Sequence, residues 1–166
     1  MNLKINIYII LILVFATQAA YARDFPQTRD TNTEELPSNQ DSPLQAGRKA
    51  VTANEWQTAI GYLEKAVLLE PTNPDAFNLL AYSFRKQAIP NLPKAFENYN
   101  LALKLDPKHK GAHEYIGEAY LMENKPAEAE RHSELLATIC GNKTCEEYED
   151  LAKAISAYKK IIANYD

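Results

Sequence analysis

The feature that most constrains the fold of this chain is a sequence repeat with a step of 36 residues in its best-matched units. The residues that recur at this step are Ala59 and Ala95, Ala66 and Ala102, Pro71 and Pro107, Leu63 and Tyr99, Leu69 and Leu105, Ala81 and Gly117, and Phe84 and Tyr120. A third unit carries Ala129, which lies 34 residues after Ala95, and Gly47 opens the first unit 34 residues before Ala81. Self-similarity at such a period is typical of an array of stacked units, each of which buries its apolar face against a neighbour.

Apolar spacing and helix-start residues place two helices in each unit and one helix after the last unit. Asn73 and Pro74 supply a cap and a first-turn proline for one helix, and Thr144 with Glu147 predicts a capping box for the last. Trp56 is expected to be buried between the two helices of the first unit, beside Asn54 as the cap. The predicted helices span residues 44–53, 55–69, 74–88, 93–105, 110–123, 126–139 and 145–163.

This pattern of small residues, aromatic residues, alanine and a final proline resembles the tetratricopeptide repeat (TPR). The resemblance covers residues 44–139, and it implies an all-α fold, a right-handed α-α superhelix of three helix-turn-helix units at 44–73, 74–109 and 110–139. Residues 140–166 would then form a turn and a capping helix that covers the open end of the solenoid. The match is carried by Gly47, Ala59, Leu63, Ala66 and Pro71, by Leu80, Ala81, Phe84, Ala95, Tyr99, Ala102 and Pro107, and by Ile116, Gly117, Tyr120 and Ala129.

The first 43 residues are not expected to belong to the repeat. Residues 1–22 have a basic start, an apolar run from Ile5 to Phe15 and the small residues of Ala20-Tyr21-Ala22, as a secretory signal peptide cleaved after Ala22 does. The apolar run is too short for a membrane span, so contact with the membrane is expected only during export. Residues 23–43 are rich in proline and polar residues and are interpreted as a disordered linker. Together these features favour an exported protein, in the periplasm of a Gram-negative bacterium.

Catalysis is not expected of this chain. A phosphate-binding glycine loop and a nucleophilic serine elbow are both missing from the sequence, and His113-Glu114 lacks the second histidine that a zinc protease motif requires. His109 and His113 are interpreted as solvated, with a weak metal site as the alternative. The net charge of -4 argues against a nucleic-acid partner. Neither a cofactor nor a metal ion is therefore predicted.

Cys140 and Cys145 are the only two cysteines. In an oxidising compartment they can pair across the turn before the last helix, and a structural disulfide is the favoured interpretation. The alternative is a redox or metal-handling pair, for which His132 is the nearest further ligand. The segment from Cys140 to Tyr158 is also similar to the C-terminus of small exported bacterial repeat proteins, which implies a periplasmic location but no defined activity.

The leading helix of each unit would line the concave surface on which TPR domains usually hold peptides. The residues expected in this groove are Arg48, Asn78, Tyr82, Arg85, Glu114 and Glu118. Their charges predict a groove that is basic towards its N-terminal part and acidic towards its C-terminal part, which does not suit a clamp for a peptide carboxylate. The resulting hypothesis is a non-enzymatic scaffold that binds a protein or peptide partner of complementary charge. The alternative is a redox or metal accessory protein that uses Cys140 and Cys145, and the oligomeric state stays open.

Overall fold

The structure is a computed structural model that describes residues 41–164, and in this range it contains seven α-helices and no strand. The helices are α1 Pro43–Thr52, α2 Trp56–Leu69, α3 Pro74–Lys86, α4 Leu92–Leu105, α5 Lys110–Met122, α6 Pro126–Cys140 and α7 Glu146–Ala163. Each end lies within two residues of its predicted position, which confirms the predicted helices. The predicted signal peptide and residues 23–40 of the predicted linker lie outside the described residues, whereas Pro43 is the first residue of α1.

Prolines and polar caps determine where several helices begin. A proline occupies the first or second position of α1, α3, α4 and α6, where its missing N–H group is not needed. Ser42 and Gln45 form a capping box at α1, and the Asn73 side chain accepts a hydrogen bond from the Asp75 backbone N–H at α3. The Asn73-Pro74 start was predicted and is confirmed.

Two predicted caps are wrong. The N-cap of α7 is Cys145, without a side-chain hydrogen bond, because the Thr144 backbone N–H and hydroxyl both donate to Asn142 Oδ1 inside the turn. Asn54 adopts a left-handed conformation with φ of 58°, in the turn between α1 and α2, and the cap of α2 is Glu55. In both places the residue expected as the cap belongs to the turn, through its backbone conformation at Asn54 and through its hydrogen bonds to Asn142 at Thr144.

The helices pack in sequence order as antiparallel neighbours. Each leading helix (α1, α3 and α5) packs on the trailing helix that follows it, and each trailing helix contacts the next helix along the chain. The three leading helices also contact one another, α1 with α3 and α3 with α5. They therefore share one surface, which we call the leading-helix face; in solenoids this surface is concave.

The repeated small residues are the points of closest helix packing. The alanines of the repeat, Ala59, Ala66, Ala95, Ala102 and Ala129, are all at most 1% exposed. Gly47 and Gly117 allow still closer contact, since a Cβ atom on either would lie 2.6 Å from a side-chain carbon of Leu63 or Leu151 respectively. The repeat thus fixes alanine and glycine where two helices touch, and larger residues such as Tyr99 fill the space between these points.

Helix α7 lies against the last unit and covers it. Leu151 sits over Gly117 of α5, and Leu151 and Ile155 are buried in one apolar cluster with Ala129 and Leu136 of α6. This arrangement covers apolar surface that the third unit would otherwise expose, as expected of a capping helix. Within residues 41–164, no helix combines the length and the hydropathy that a membrane span requires.

Candidate partner-binding surface

Three aromatic side chains follow one another across the repeat units. The Tyr82 ring lies 5.8 Å from the Trp56 ring and 4.7 Å from the Tyr115 ring, measured between centroids, and all three residues are half-buried. We call Trp56, Tyr82 and Tyr115 the aromatic row. Trp56 was expected to be buried between the helices of its own unit; it is half-buried, and its ring contacts Tyr82 on the leading helix of the second unit. Tyr115 was not among the residues predicted for this surface, although its position next to Glu114 in a leading helix could have indicated it.

Arg85 contacts both the aromatic row and an acidic residue beside it. The residue is only 7% exposed, and its guanidinium lies 5.2 Å and 5.7 Å from the ring centroids of Tyr82 and Tyr115. It forms an ion pair with Glu118 at 2.6 Å and donates a hydrogen bond to the Tyr99 hydroxyl at 3.2 Å. Burial alone would lower the pKa of Arg85, but Tyr99 and Glu118 outweigh it and raise the pKa, so the arginine stays charged.

Glu114 is the most strongly perturbed carboxyl group of this surface. It is 8% exposed, and within the described residues its carboxylate has neither a hydrogen bond nor an ion pair. Burial raises its pKa to about 8, and the charges of Glu118, Asp150 and Glu147 add to this effect. We call Glu114, Glu118, Glu147 and Asp150 the acidic cluster; two of them lie on α5 and two on α7.

Both arginines predicted for the groove are paired with carboxylates. Arg48 forms an ion pair at 2.5 Å with Asp75 on the next leading helix, and Arg85 forms one at 2.6 Å with Glu118, which also lies on the next leading helix. Asp75 also accepts a hydrogen bond from His109 Nε2 at 2.9 Å. Burial opposes ionisation of Asp75, but the contacts with His109 and Arg48 lower its pKa overall. The basic residues therefore contribute less free charge to the surface than their number in the sequence indicates.

Asn78 occupies the position in the second unit that Glu114 occupies in the third, 36 residues later. It is 6% exposed, and its Oδ1 atom is buried without a hydrogen-bond partner among the described residues. A Cβ atom at Gly111 would come within 3.3 Å of the Asn78 amide nitrogen, so the leading helices of these two units approach closely here. Two neighbouring units thus each present an acceptor without a donor at the same register.

The histidines do not behave as solvated groups, so that interpretation is wrong. His113 is 5% exposed; its Nε2–H donates to the Pro107 carbonyl at 3.1 Å, and its Nδ1 accepts from His132 Nδ1–H at 2.8 Å. His109 is half-buried and caps α5 through Nδ1, which accepts from the Ala112 N–H. Burial lowers the pKa of His113, and burial with the neighbouring His113 lowers the pKa of His132 to about 4. Both ring nitrogens of His109 and His113 are therefore used in hydrogen bonds, which does not suit a metal site.

Cys140 and Cys145 form a disulfide that links the last residue of α6 to the N-cap of α7. Gly141 follows in a left-handed conformation with φ of 71°, which allows the tight turn. Their sulfur atoms and a Glu147 oxygen lie within 4.8 Å of one another, the one such group of potential metal ligands within residues 41–164. Sulfur atoms in a disulfide are not thiolates, so the bridge would have to be reduced before this group could hold a metal ion.

Comparison with solved structures identifies the fold. The chain superposes on the Sgt2 TPR domain from Aspergillus fumigatus with a TM-score of 0.63 and 23% identity, covering 75% of this chain and 80% of that one. The type III secretion translocator chaperone SycD of Yersinia enterocolitica matches with a TM-score of 0.60 and 17% identity, covering 74% and 90%. The first TPR domain of human RPAP3 matches with a TM-score of 0.59 and 19% identity, covering 71% and 93%. Neither a family model nor a curated protein matches the sequence. The chain has the all-α solenoid fold of the tetratricopeptide repeat domains.

Proposed function

We propose that this protein is a non-enzymatic adaptor that binds a protein or peptide segment along the leading-helix face. The observation that carries the proposal is the aromatic row, in which the rings of Tyr82 and Tyr115 on leading helices lie 4.7 Å apart and the ring of Trp56 on α2 lies 5.8 Å from that of Tyr82. Half-buried tyrosine and tryptophan rings combine apolar area with a polar atom, and such residues are enriched where proteins bind one another. The comparison structures include a chaperone for secretion translocators, and chaperoning is one form that partner binding takes.

The proposal is tested by placing a photoreactive phenylalanine analogue at Tyr82 in the full chain and crosslinking it in the native cell. The matched control carries the same analogue at Tyr62, which is 41% exposed on α2 and outside the aromatic row. A partner on the leading-helix face would be crosslinked from position 82 and not from position 62. The proposal would be overturned if position 82 captured no protein, or only the set captured from position 62.

We further infer that the adaptor is exported and works in the periplasm. The support is the signal-like pattern of residues 1–22 together with the disulfide, since disulfides persist in oxidising compartments. Intact-mass measurement on protein recovered from a periplasmic fraction is the test. The expected species begins at Arg23 and retains the Cys140–Cys145 bridge. A cytosolic protein that retains Met1 would contradict the inference.

A further inference from the structure

The acidic cluster is built by two different elements that face each other. Glu114 and Glu118 lie one helical turn apart on α5, and Glu147 and Asp150 lie one turn apart near the start of α7. Two cations are paired with members of the cluster, Arg85 with Glu118 at 2.6 Å and Lys110 with Glu147 at 3.7 Å. Glu114 and Asp150 have no ion pair among the described residues, so the cluster carries more acceptors than donors.

The state of the Glu114 side chain also indicates a ligand. Its side chain is more than nine-tenths buried, yet it lacks any donor within residues 41–164. Both of its oxygens keep some contact with solvent, since neither is among the fully buried unpartnered atoms. A largely buried acid without a protein partner lowers stability at neutral pH, and groups held in that state are typical of functional sites. A cationic donor supplied by a bound molecule would pair with Glu114 and favour its ionised form.

The spacing of the acidic side chains indicates which chemical group of a ligand could bind them. The four carboxylates do not bring three oxygens within 4.8 Å of one another, so they do not form a cage of the size of a metal ion. The neighbouring Tyr115 ring offers a face to an organic cation, as it already does to Arg85 at 5.7 Å. A guanidinium or ammonium group on a flexible side chain fits this combination of dispersed carboxylates and an aromatic wall.

We propose that Glu114, with Asp150 and Glu147 around it, is a subsite for a lysine or arginine side chain of the segment bound on the leading-helix face. The inference rests on the proposed function and adds the chemistry of the partner to it. The bound segment would lie along the aromatic row and place its basic residue at the junction of α5 and α7. The capping helix would in this way take part in recognition as well as in closing the solenoid.

The test is selection of random dodecapeptides displayed on phage by the immobilised protein, followed by affinity measurement on the enriched peptides. Enriched peptides are expected to share a lysine or arginine, and replacement of that residue by glutamine is expected to weaken binding about tenfold. Glu114→Gln should cause a loss of similar size. The control Glu64→Gln makes the same substitution at an exposed position on α2 and should leave affinity unchanged. Circular dichroism establishes that each variant is folded.

The outcomes separate this inference from the proposed function. Enriched peptides without a shared basic residue, or equal losses in Glu114→Gln and Glu64→Gln, would overturn the subsite. In either case, if Tyr82→Ala abolished binding of the enriched peptides, the proposed adaptor role of the leading-helix face would still be supported. If no peptide were enriched above the background of uncoated beads, both the subsite and peptide binding on this face would fail.

Discussion

Glutamine in place of Glu114 should make the protein more stable at neutral pH. The substitution keeps the shape of the side chain and removes a buried carboxyl group that has no hydrogen-bond partner among the described residues and must take up a proton on folding at neutral pH. A carboxyl whose pKa rises from 4.5 to about 8 on folding is protonated in the folded chain at pH values where the unfolded chain has lost the proton. The folded state is then favoured at low pH, and the free energy of unfolding falls as pH rises from about 4.5 to about 8.

The size of the effect follows from the same pKa change. One pKa unit corresponds to about 1.4 kcal/mol, so protonating this carboxyl on folding at pH 7, about 2.5 units above its unfolded pKa of 4.5, costs at most about 3.4 kcal/mol. Because both oxygens keep some contact with solvent, screening reduces it, and we expect Glu114→Gln to gain about 1–2 kcal/mol at neutral pH. With a urea dependence of about 2 kcal/mol per molar, the middle of the range for small proteins, the unfolding midpoint should rise by about 0.5–1 M.

Urea unfolding of the wild-type protein and the variant, at about pH 5 and about pH 7.5, is the assay. His113 and His132 change their protonation in the opposite sense over part of this range, since their pKa values are lowered on folding. Their contribution is present in both proteins and cancels in the difference. The control Glu64→Gln should change stability by less than about 0.5 kcal/mol. The reasoning is refuted if Glu114→Gln is no more stable than wild type at the higher pH, or if the difference does not shrink at the lower one.

Three further predictions concern the contacts that hold the solenoid together. Arg85→Met should lower the free energy of unfolding by about 2–4 kcal/mol, because it leaves the half-buried Glu118 carboxylate and the buried Tyr99 hydroxyl without their partner. Urea unfolding measures the change, and a loss below about 1 kcal/mol, as for an exposed ion pair, would contradict it. Gly117→Ala should lower the free energy of unfolding by about 1–3 kcal/mol, because the new Cβ atom would collide with the Leu151 side chain of α7. Gly61→Ala on α2, where the space around the residue is open, should instead raise it by about 0.5–1 kcal/mol. Equal effects of the two substitutions in thermal unfolding would refute this prediction. Removing the Cys140–Cys145 bridge with two serines should cost about 2 kcal/mol at most, and an unchanged unfolding temperature would show that the bridge adds nothing.

The helices could be predicted from sequence because their signals are local. Alanines at a fixed step and prolines at helix starts act within one unit, and the structure places each helix end within two residues of the prediction. The two wrong caps, at Asn54 and Thr144, lie in the turns between helices, where the conformation of the turn decides which residue precedes the helix. Thr144 has the sequence of a cap, yet it donates its hydrogen bonds to Asn142, and Cys145, which forms the disulfide with Cys140, is the N-cap of α7.

The site was harder to predict, because it depends on contacts between units. Nothing in the sequence around Arg85 indicates that Glu118, 33 residues later, is its partner, or that Tyr99 accepts its hydrogen bond. Glu114 is likewise influenced by Glu147 and Asp150 of α7, a helix that packs on α5 through Leu151 and Gly117. Sequence periodicity identifies which helix a residue lies on, whereas the pairing across units follows from the angle at which the units stack.

Asp75 shows what such pairing does for the solenoid as a whole. Through its two oxygens, this residue of the second unit contacts Arg48 of the first unit and His109 at the start of α5. In repeat proteins the free energy of folding is close to a sum of terms for each unit and each neighbouring pair, so distant units unfold almost independently. A shared carboxylate gives the outer two units a common dependence on one side chain, which favours unfolding of the array in a single cooperative step.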